Sequence, residues 1–243
     1  MASPFLIDPK LPFTELHKKS DHTAVERPIE HRWSPYQNNG GTALGIAGDD
    51  FAVVVADTRT STGYAIHTRN FSKVTKLTSK CIIATSGMQA EAITLHRLLQ
   101  MRIIRYQHAH RREPSVPAVA QLLSTTLYNK RFFPFYTFNL VAGVDDQGKG
   151  CTYGYDAIGS FEPLPYVAQG TGSSLVTSVL DNQLGQTNRT QKGPKLSKVE
   201  MVDLAKDVIT SAGERDIYTG DAAEVYVIDA SGVHESVLEL KKD

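Results

Sequence analysis

Residues 40 to 59, Gly-Gly-Thr-Ala-Leu-Gly-Ile-Ala-Gly-Asp-Asp-Phe-Ala-Val-Val-Val-Ala-Asp-Thr-Arg, constrain the fold more than any other stretch. Two apolar runs, Ala43 to Ala47 and Phe51 to Ala56, flank a Gly-Asp-Asp turn, which predicts a tight antiparallel hairpin. The second run is apolar on both faces until Asp57, so it reads as a strand buried between two layers that delivers a carboxylate at its end. A buried carboxylate needs a partner.

Around this hairpin the pattern alternates between strands and helices. Thr58 to Ser72 is polar with Gly63 as a turn point, and strands follow at Val74 to Leu77 and Cys81 to Thr85. Ala92, Leu95, Leu99 and Ile103 recur at helical spacing between Met88 and His108. Ser115 and Pro117 open a second helix that runs to Asn129. Phe138 to Val144 and Gly150 to Tyr155 form another hairpin around an acidic glycine turn, and a strand near Tyr166 to Ala168 leads into Gly170-Thr171-Gly172-Ser173. A helix follows to about Leu184, then a polar loop to Leu196, and Ser197-Lys198-Val199-Glu200 is a capping box for a fourth helix. Strands at Glu224 to Ile228 and Val233 to Leu240 finish the chain. Two stacked sheets, each covered on its outer side by a helix pair, would use every apolar face, giving an α+β fold built as a four-layer αββα sandwich.

Composition narrows the function. The chain has 243 residues, 41% of them hydrophobic, enough for one sizeable core, and its formal net charge of +0 supplies no long-range attraction to nucleic acid or an anionic membrane. Those partners are disfavoured, and no apolar run is long enough to span a bilayer. The aromatic and basic segment Arg131-Phe132-Phe133-Pro134-Phe135-Tyr136 lacks the wider basic surface that base stacking would require. Cys81 and Cys151 fit buried free thiols in a reducing compartment. His108 and His110 stand two apart on a helix and do not share a face, so no metal site is expected, and no cofactor. Gly170-Thr171-Gly172-Ser173 lacks the lysine and spacing of a phosphate loop. The sequon Asn188-Arg189-Thr190 reads as a chance match in a polar loop, and residues 1 to 9 lack the basic flank of a secretory signal. Residues 1 to 40 read as an N-terminal extension, mobile at first and packed on a surface from Trp33 to Tyr36, with the folded domain at 41 to 243.

The opening Gly-Gly-Thr, its glycine-bearing turn, Val53-Val54-Val55-Ala56-Asp57-Thr58-Arg59, and then Gly63 and Lys73-Val74 resemble the start of a proteasome β subunit. Arg215-Asp216-Ile217-Tyr218-Thr219-Gly220 and Gly170-Thr171-Gly172-Ser173 resemble two further stretches of that family, so the likeness covers about Gly40 to Asp243. It implies the N-terminal-nucleophile hydrolase type of αββα sandwich. In active members a pro-segment is removed, and an exposed N-terminal threonine attacks with its own amine carrying the proton. Aligned without gaps, the family's aspartate falls on Asp57, its lysine on Lys73, a backbone-donor glycine on Gly87, and its supporting aspartate and serine on Asp216 and Thr219.

The threonine falls on Gly41, which has no hydroxyl. Losing the nucleophile of a comparable hydrolase costs on the order of 10⁶ in turnover. Thr42 stands one residue late, and on a strand that shift turns the side chain to the opposite face. Asp57 and Lys73 then read as a buried ion pair kept for packing. A chain without the nucleophile cannot cleave itself, so any trimming would come from a neighbouring active subunit, near His31-Arg32. The alternative is an active threonine endopeptidase that exposes Thr42 by cutting after Gly41, which would need a bulge before Ala43.

Pro28-Ile29-Glu30-His31, Arg131-Phe132-Phe133-Pro134, Gly148-Lys149-Gly150 and Leu180-Asp181-Asn182-Gln183 resemble the non-catalytic type-six members of the family in eukaryotic 20S core particles. That resemblance implies a structural subunit in ATP- and ubiquitin-dependent protein degradation, found in cytoplasm and nucleus. Its partners would be other β subunits in a seven-membered ring, the opposite β ring and α subunits. Asp156 is a candidate contact to a neighbour's substrate pocket.

Overall fold

The computed structural model describes residues 33–187, 189–191 and 193–243. By its contacts the chain divides into residues 1–35 and a compact unit from Tyr36 to Asp243. Of the expected surface group before the domain, Trp33 is 81% exposed. Tyr36 is the residue that packs, stacking on Phe133 and Tyr136 with ring centroids 5.5 Å apart in each case, while its hydroxyl donates to the Pro134 carbonyl at 2.6 Å.

The opening hairpin forms as the sequence predicts. β1 (Thr42–Ala47) and β2 (Ala52–Asp57) pair antiparallel with Ala43 opposite Ala56, and every residue of β2 is buried. The remaining strands are β3 (Thr60–Thr62), β4 (Ala65–Thr68), β5 (Val74–Thr78), β6 (Cys81–Gly87), β7 (Thr137–Val144), β8 (Gly150–Tyr155), β9 (Phe161–Leu164), β10 (Tyr166–Gly170), β11 (Ala222–Asp229) and β12 (Gly232–Glu239). The helices are α1 (Gln89–His110), α2 (Val116–Tyr128), α3 (Ser173–Leu180) and α4 (Lys198–Arg215). A π turn, Asp181–Gly185, carries α3 into the loop that follows.

Two five-stranded sheets result, in the orders β10-β1-β2-β11-β12 and β5-β6-β7-β8-β9. Their residues alternate between two burial environments because successive side chains on a strand point to opposite faces. Ala52, Val54 and Ala56 of β2 meet Ile82, Ala84, Leu140 and Ala142 of the other sheet in the central layer. Val53 and Val55, one residue out of phase, pack instead with Val176 and Leu180 of α3 and with Ala205, Val208, Ile209 and Ala212 of α4. On the opposite outer side, Ile83 and Val141 pack under Leu95, Leu99 and Ile103 of α1 and Val119, Leu123 and Leu127 of α2. The αββα layering is therefore the arrangement observed.

Three short strands depart from the sequence reading. β3 and β4 pair as a small separate hairpin where only a polar connection is expected, and β9 forms an edge. The first two are too polar to show a buried face. β9 contains Pro163, which demotes a strand reading and is tolerated only at an edge.

Candidate functional site

The candidate site lies where the beginning of β1 meets the ends of β2 and β6, the start of β5 and the turn after α4. β2 carries Asp57 into the interior, where it is fully buried. Lys73, just ahead of β5, places its Nζ 3.0 Å from Asp57 Oδ1 and donates to the carbonyls of Asp57 at 2.9 Å and Arg59 at 2.6 Å. An ammonium has three N–H groups, so these acceptors occupy all of them. Asp57 also accepts from the backbone N–H of Thr42 at 2.8 Å, Arg59 at 3.2 Å and Gly220 at 3.4 Å. Burial pushes the Asp57 carboxyl up from its ordinary value, and the Lys73 ammonium and the N–H groups of Thr42 and Gly220 act against that rise.

Gly41 faces this pair. Its φ is +89°, and a Cβ built on it would stand 2.3 Å from Lys73 Cε and 2.7 Å from Asp57 Oδ1. The lysine side chain thus fills the space that a side chain at position 41 would need, and the backbone adopts a conformation open mainly to glycine. Gly87 ends β6 close by, and its carbonyl accepts from the Asn39 N–H at 3.0 Å.

Thr42 points the other way. Gly172 N–H donates to Thr42 Oγ1 at 2.9 Å, and Thr42 Oγ1 lies 2.7 Å from Thr219 Oγ1. Thr219 in turn donates to Asp216 Oδ2 at 2.6 Å, so its oxygen receives the Thr42 proton and the three groups form one chain that ends on a carboxylate. Thr171 donates to the same Asp216 oxygen at 2.5 Å. Thr42 is fully buried, and a Cβ at Gly172 would approach its hydroxyl to 2.6 Å, so close packing holds it on that side. The site residues therefore form two clusters on the two faces of β1. Gly41, Asp57 and Lys73 make one, and Thr42, Thr219 and Asp216 make the other.

Several contributors escape the sequence reading. Asn39 bridges two elements: its Nδ2 donates to the Ser61 carbonyl at 3.1 Å, its carbonyl accepts from Ser61 N–H at 3.1 Å, and its Oδ1 accepts from Gln89 N–H at 2.9 Å. Arg59 is buried and bonds Asp221 at 2.8 Å and the Ile217 carbonyl at 2.9 Å, fastening the turn that carries Thr219. A charge two residues past a fully apolar strand is the signal that could have found it. Asp156 lies in the turn between β8 and β9, accepting from Ile158 N–H at 3.1 Å and Ser160 N–H at 2.8 Å. His108 and His110 are both exposed at the end of α1. Pro28 to Arg32 and Asn188 lie outside the described residues.

A two-sheet sandwich with helix pairs outside, and a carboxylate and lysine set against the first strand, is the architecture of the N-terminal-nucleophile hydrolases. A family model described as "Proteasome subunit" matches residues 37–228. The chain belongs to the proteasome subunit family, and its relatives put it among the β subunits. It is 52% identical over 214 residues to "Proteasome subunit beta type-1" of Oryza sativa subsp. japonica, covering 86% of this chain and 96% of that protein. It is 50% identical over 216 residues to the protein of the same name in Petunia hybrida, covering 87% and 97%. "Probable proteasome subunit beta type-6" of Schizosaccharomyces pombe is 39% identical over 223 residues, covering 88% and 99%. The resemblance to type-six members in particular is not supported, since the more similar of these relatives carry the type-1 name. Of the four short stretches behind it, the three that are described fall in turns or at a helix end, the parts of a fold that vary most among homologues.

Proposed function

We propose that this chain is a non-catalytic β subunit of the 20S core particle, retained for its shape. The observation that carries this reading is Gly41, a residue without a hydroxyl, facing the Asp57–Lys73 pair at φ +89°. Thr42, the next residue along, carries a hydroxyl, but that group is committed to Gly172 and Thr219 on the other face of β1. The ion pair and the hydroxyl chain then serve to fix the ends of β1, β2 and the turn after α4, while the outer surfaces meet neighbouring subunits. In this reading residues 1–40 are an extension trimmed upstream of Gly41 by a neighbour, the ring has seven members and faces a second β ring and α subunits, and the particle serves ATP- and ubiquitin-dependent degradation in cytoplasm and nucleus.

The test is the intact mass of this chain taken from the native particle, together with its response to a threonine-directed covalent inhibitor. The expected chain begins upstream of Gly41 and carries no adduct. A chain beginning at Thr42 and acylated by the inhibitor would overturn the reading, because only that cut creates a free threonine amine.

A further inference from the structure

The peptide bonds upstream of Gly41 are not equally open to a protease. Trp33, Ser34 and Pro35 are exposed. Tyr36 and Asn39, three residues apart, are each held by the folded domain through several contacts. Tyr36 stacks on Phe133 and Tyr136 and donates to the Pro134 carbonyl. Asn39 uses both its main chain and its side chain. Its N–H donates to the Gly87 carbonyl at 3.0 Å, its carbonyl accepts from the Ser61 N–H at 3.1 Å, and its Nδ2 donates to the Ser61 carbonyl at 3.1 Å. Its Oδ1 accepts from the Gln89 N–H at 2.9 Å at the start of α1, where Met88 makes no side-chain capping bond. One residue thus joins β3, the end of β6 and the first turn of α1. Gly40 follows, buried at φ +69°, and a Cβ there would stand 2.6 Å from Tyr218 Cβ. The Gly41 carbonyl then accepts from the Thr171 N–H at 3.0 Å.

Opening this stretch would strip the Gly87 and Ser61 carbonyls and the Ser61 and Gln89 N–H groups of these partners at once, and backbone groups left unpaired inside a fold are costly. A protease cuts a held segment only when it opens away from the fold. We propose that Tyr36 to Gly40 form a clasp that sets the limit of N-terminal trimming, so that the trimmed chain begins no later than Tyr36. Each cut is a hydrolysis by a neighbouring active subunit. Water adds across one peptide bond, leaving a carboxylate on the released piece and an amine on the first residue of this chain. The inference rests on the reading that a neighbour trims the extension, and deepens it by naming the residues that stop the cut.

The test compares the full-length chain with its Tyr36→Ala/Asn39→Ala variant in two settings, each read by intact mass. In the first, the refolded chains are digested briefly with proteinase K. The unsubstituted chain should leave a lasting product that begins no later than Tyr36, while the variant should be cut between residues 36 and 41 at least about tenfold faster, because the rate follows the population of the opened segment. In the second, both chains are recovered from the native particle. The variant should begin between residues 37 and 41, and the unsubstituted chain no later than Tyr36. Equal cutting rates in solution, or the same first residue for both chains in the particle, would overturn the proposal; the second result would mean that the neighbour's reach sets the limit. An unsubstituted chain recovered whole from Met1, or one beginning at Thr42, would instead overturn the trimming reading beneath it, and the digestion would still judge the clasp. Unchanged hydrogen exchange in β6 and β7 shows that the variant folds. If it does not fold, Asn39→Asp, which keeps the acceptor for Gln89 and loses only the Nδ2 donor, takes its place with the same expected direction in both settings.

Discussion

Lys73 Nζ sits 3.0 Å from Asp57 Oδ1 in the interior, with Lys73 5% and Asp57 0% exposed as side chains. The pair is fully hydrogen-bonded, which is the condition under which two buried charges can be kept. Removing one partner leaves the other charged and alone. Lys73→Met or Asp57→Asn should therefore each destabilise the folded chain by about 3–5 kcal/mol, whereas Asp57→Leu combined with Lys73→Met should recover much of that loss. Urea unfolding of the refolded chain measures all three, and a double variant as unstable as the sum of the singles would remove the pairing account.

His96 provides a pH-dependent contribution. It lies on the buried face of α1 with Nε2 2.6 Å from Thr85 Oγ1 and Nδ1 2.8 Å from Thr75 Oγ1. Thr85 spends its proton on Asn139 Oδ1 at 2.8 Å, so the ring donates from Nε2 and accepts at Nδ1, and it is neutral. Burial lowers its pKa from 6.5 to about 4. Between those values the unfolded chain binds more protons than the folded one, so stability rises with pH there. The contribution is complete above the unfolded value and fades as pH falls toward about 4. The difference in stability between the native chain and His96→Gln should change across that window by up to roughly 3 kcal/mol. A constant difference from pH 7 down to about 4 would mean that the ring is not held neutral.

The layers were legible because burial on both faces of β2 and the helical stripe of α1 are one-dimensional patterns. His96 itself lies on that stripe, four residues after Ala92 and three before Leu99, yet a histidine amid leucines carries no mark of which polar groups await it. The partners of Asn39 show why the site was harder to read. Ser61 and Gln89 stand 22 and 50 residues away, and no local period announces such a bridge. The opposite facing of Gly41 and Thr42, by contrast, followed from strand geometry alone.

The start of α4 tests a local feature. Ser197 Oγ accepts from the Glu200 N–H at 3.4 Å, and Glu200 Oε2 accepts from the Ser197 N–H at 2.8 Å, completing the reciprocal box. Ser197→Ala removes the side-chain acceptor and should cost about 1 kcal/mol, read as a shift in the urea midpoint without a change in slope. A null effect would mean that water satisfies the first turn equally well.

Buried hydroxyls without partners make the opposite prediction. Among the described residues, Thr60 Oγ1 and Ser86 Oγ are inaccessible and have no hydrogen-bond partner. An unsatisfied buried hydroxyl costs about 1–3 kcal/mol, so Thr60→Val, which keeps the shape, should leave stability unchanged or raise it. A clear loss in urea unfolding would reveal a partner for that oxygen.

Gly41→Thr is the direct test of what the missing hydroxyl means. In the intact chain the new Cβ would have to displace Lys73 Cε from 2.3 Å, at a backbone φ of +89° that disfavours a β-branched residue. That strain should cost on the order of 1–3 kcal/mol, visible in urea unfolding. Peptide hydrolysis should remain absent while the mass shows the bond between residues 40 and 41 intact, because the threonine nitrogen is then an amide and cannot carry the proton. Hydrolysis together with a cut before residue 41 would show that Asp57 and Lys73 still support catalysis once a hydroxyl and a free amine are restored. Hydrolysis from an uncut chain would show that the free amine is not required.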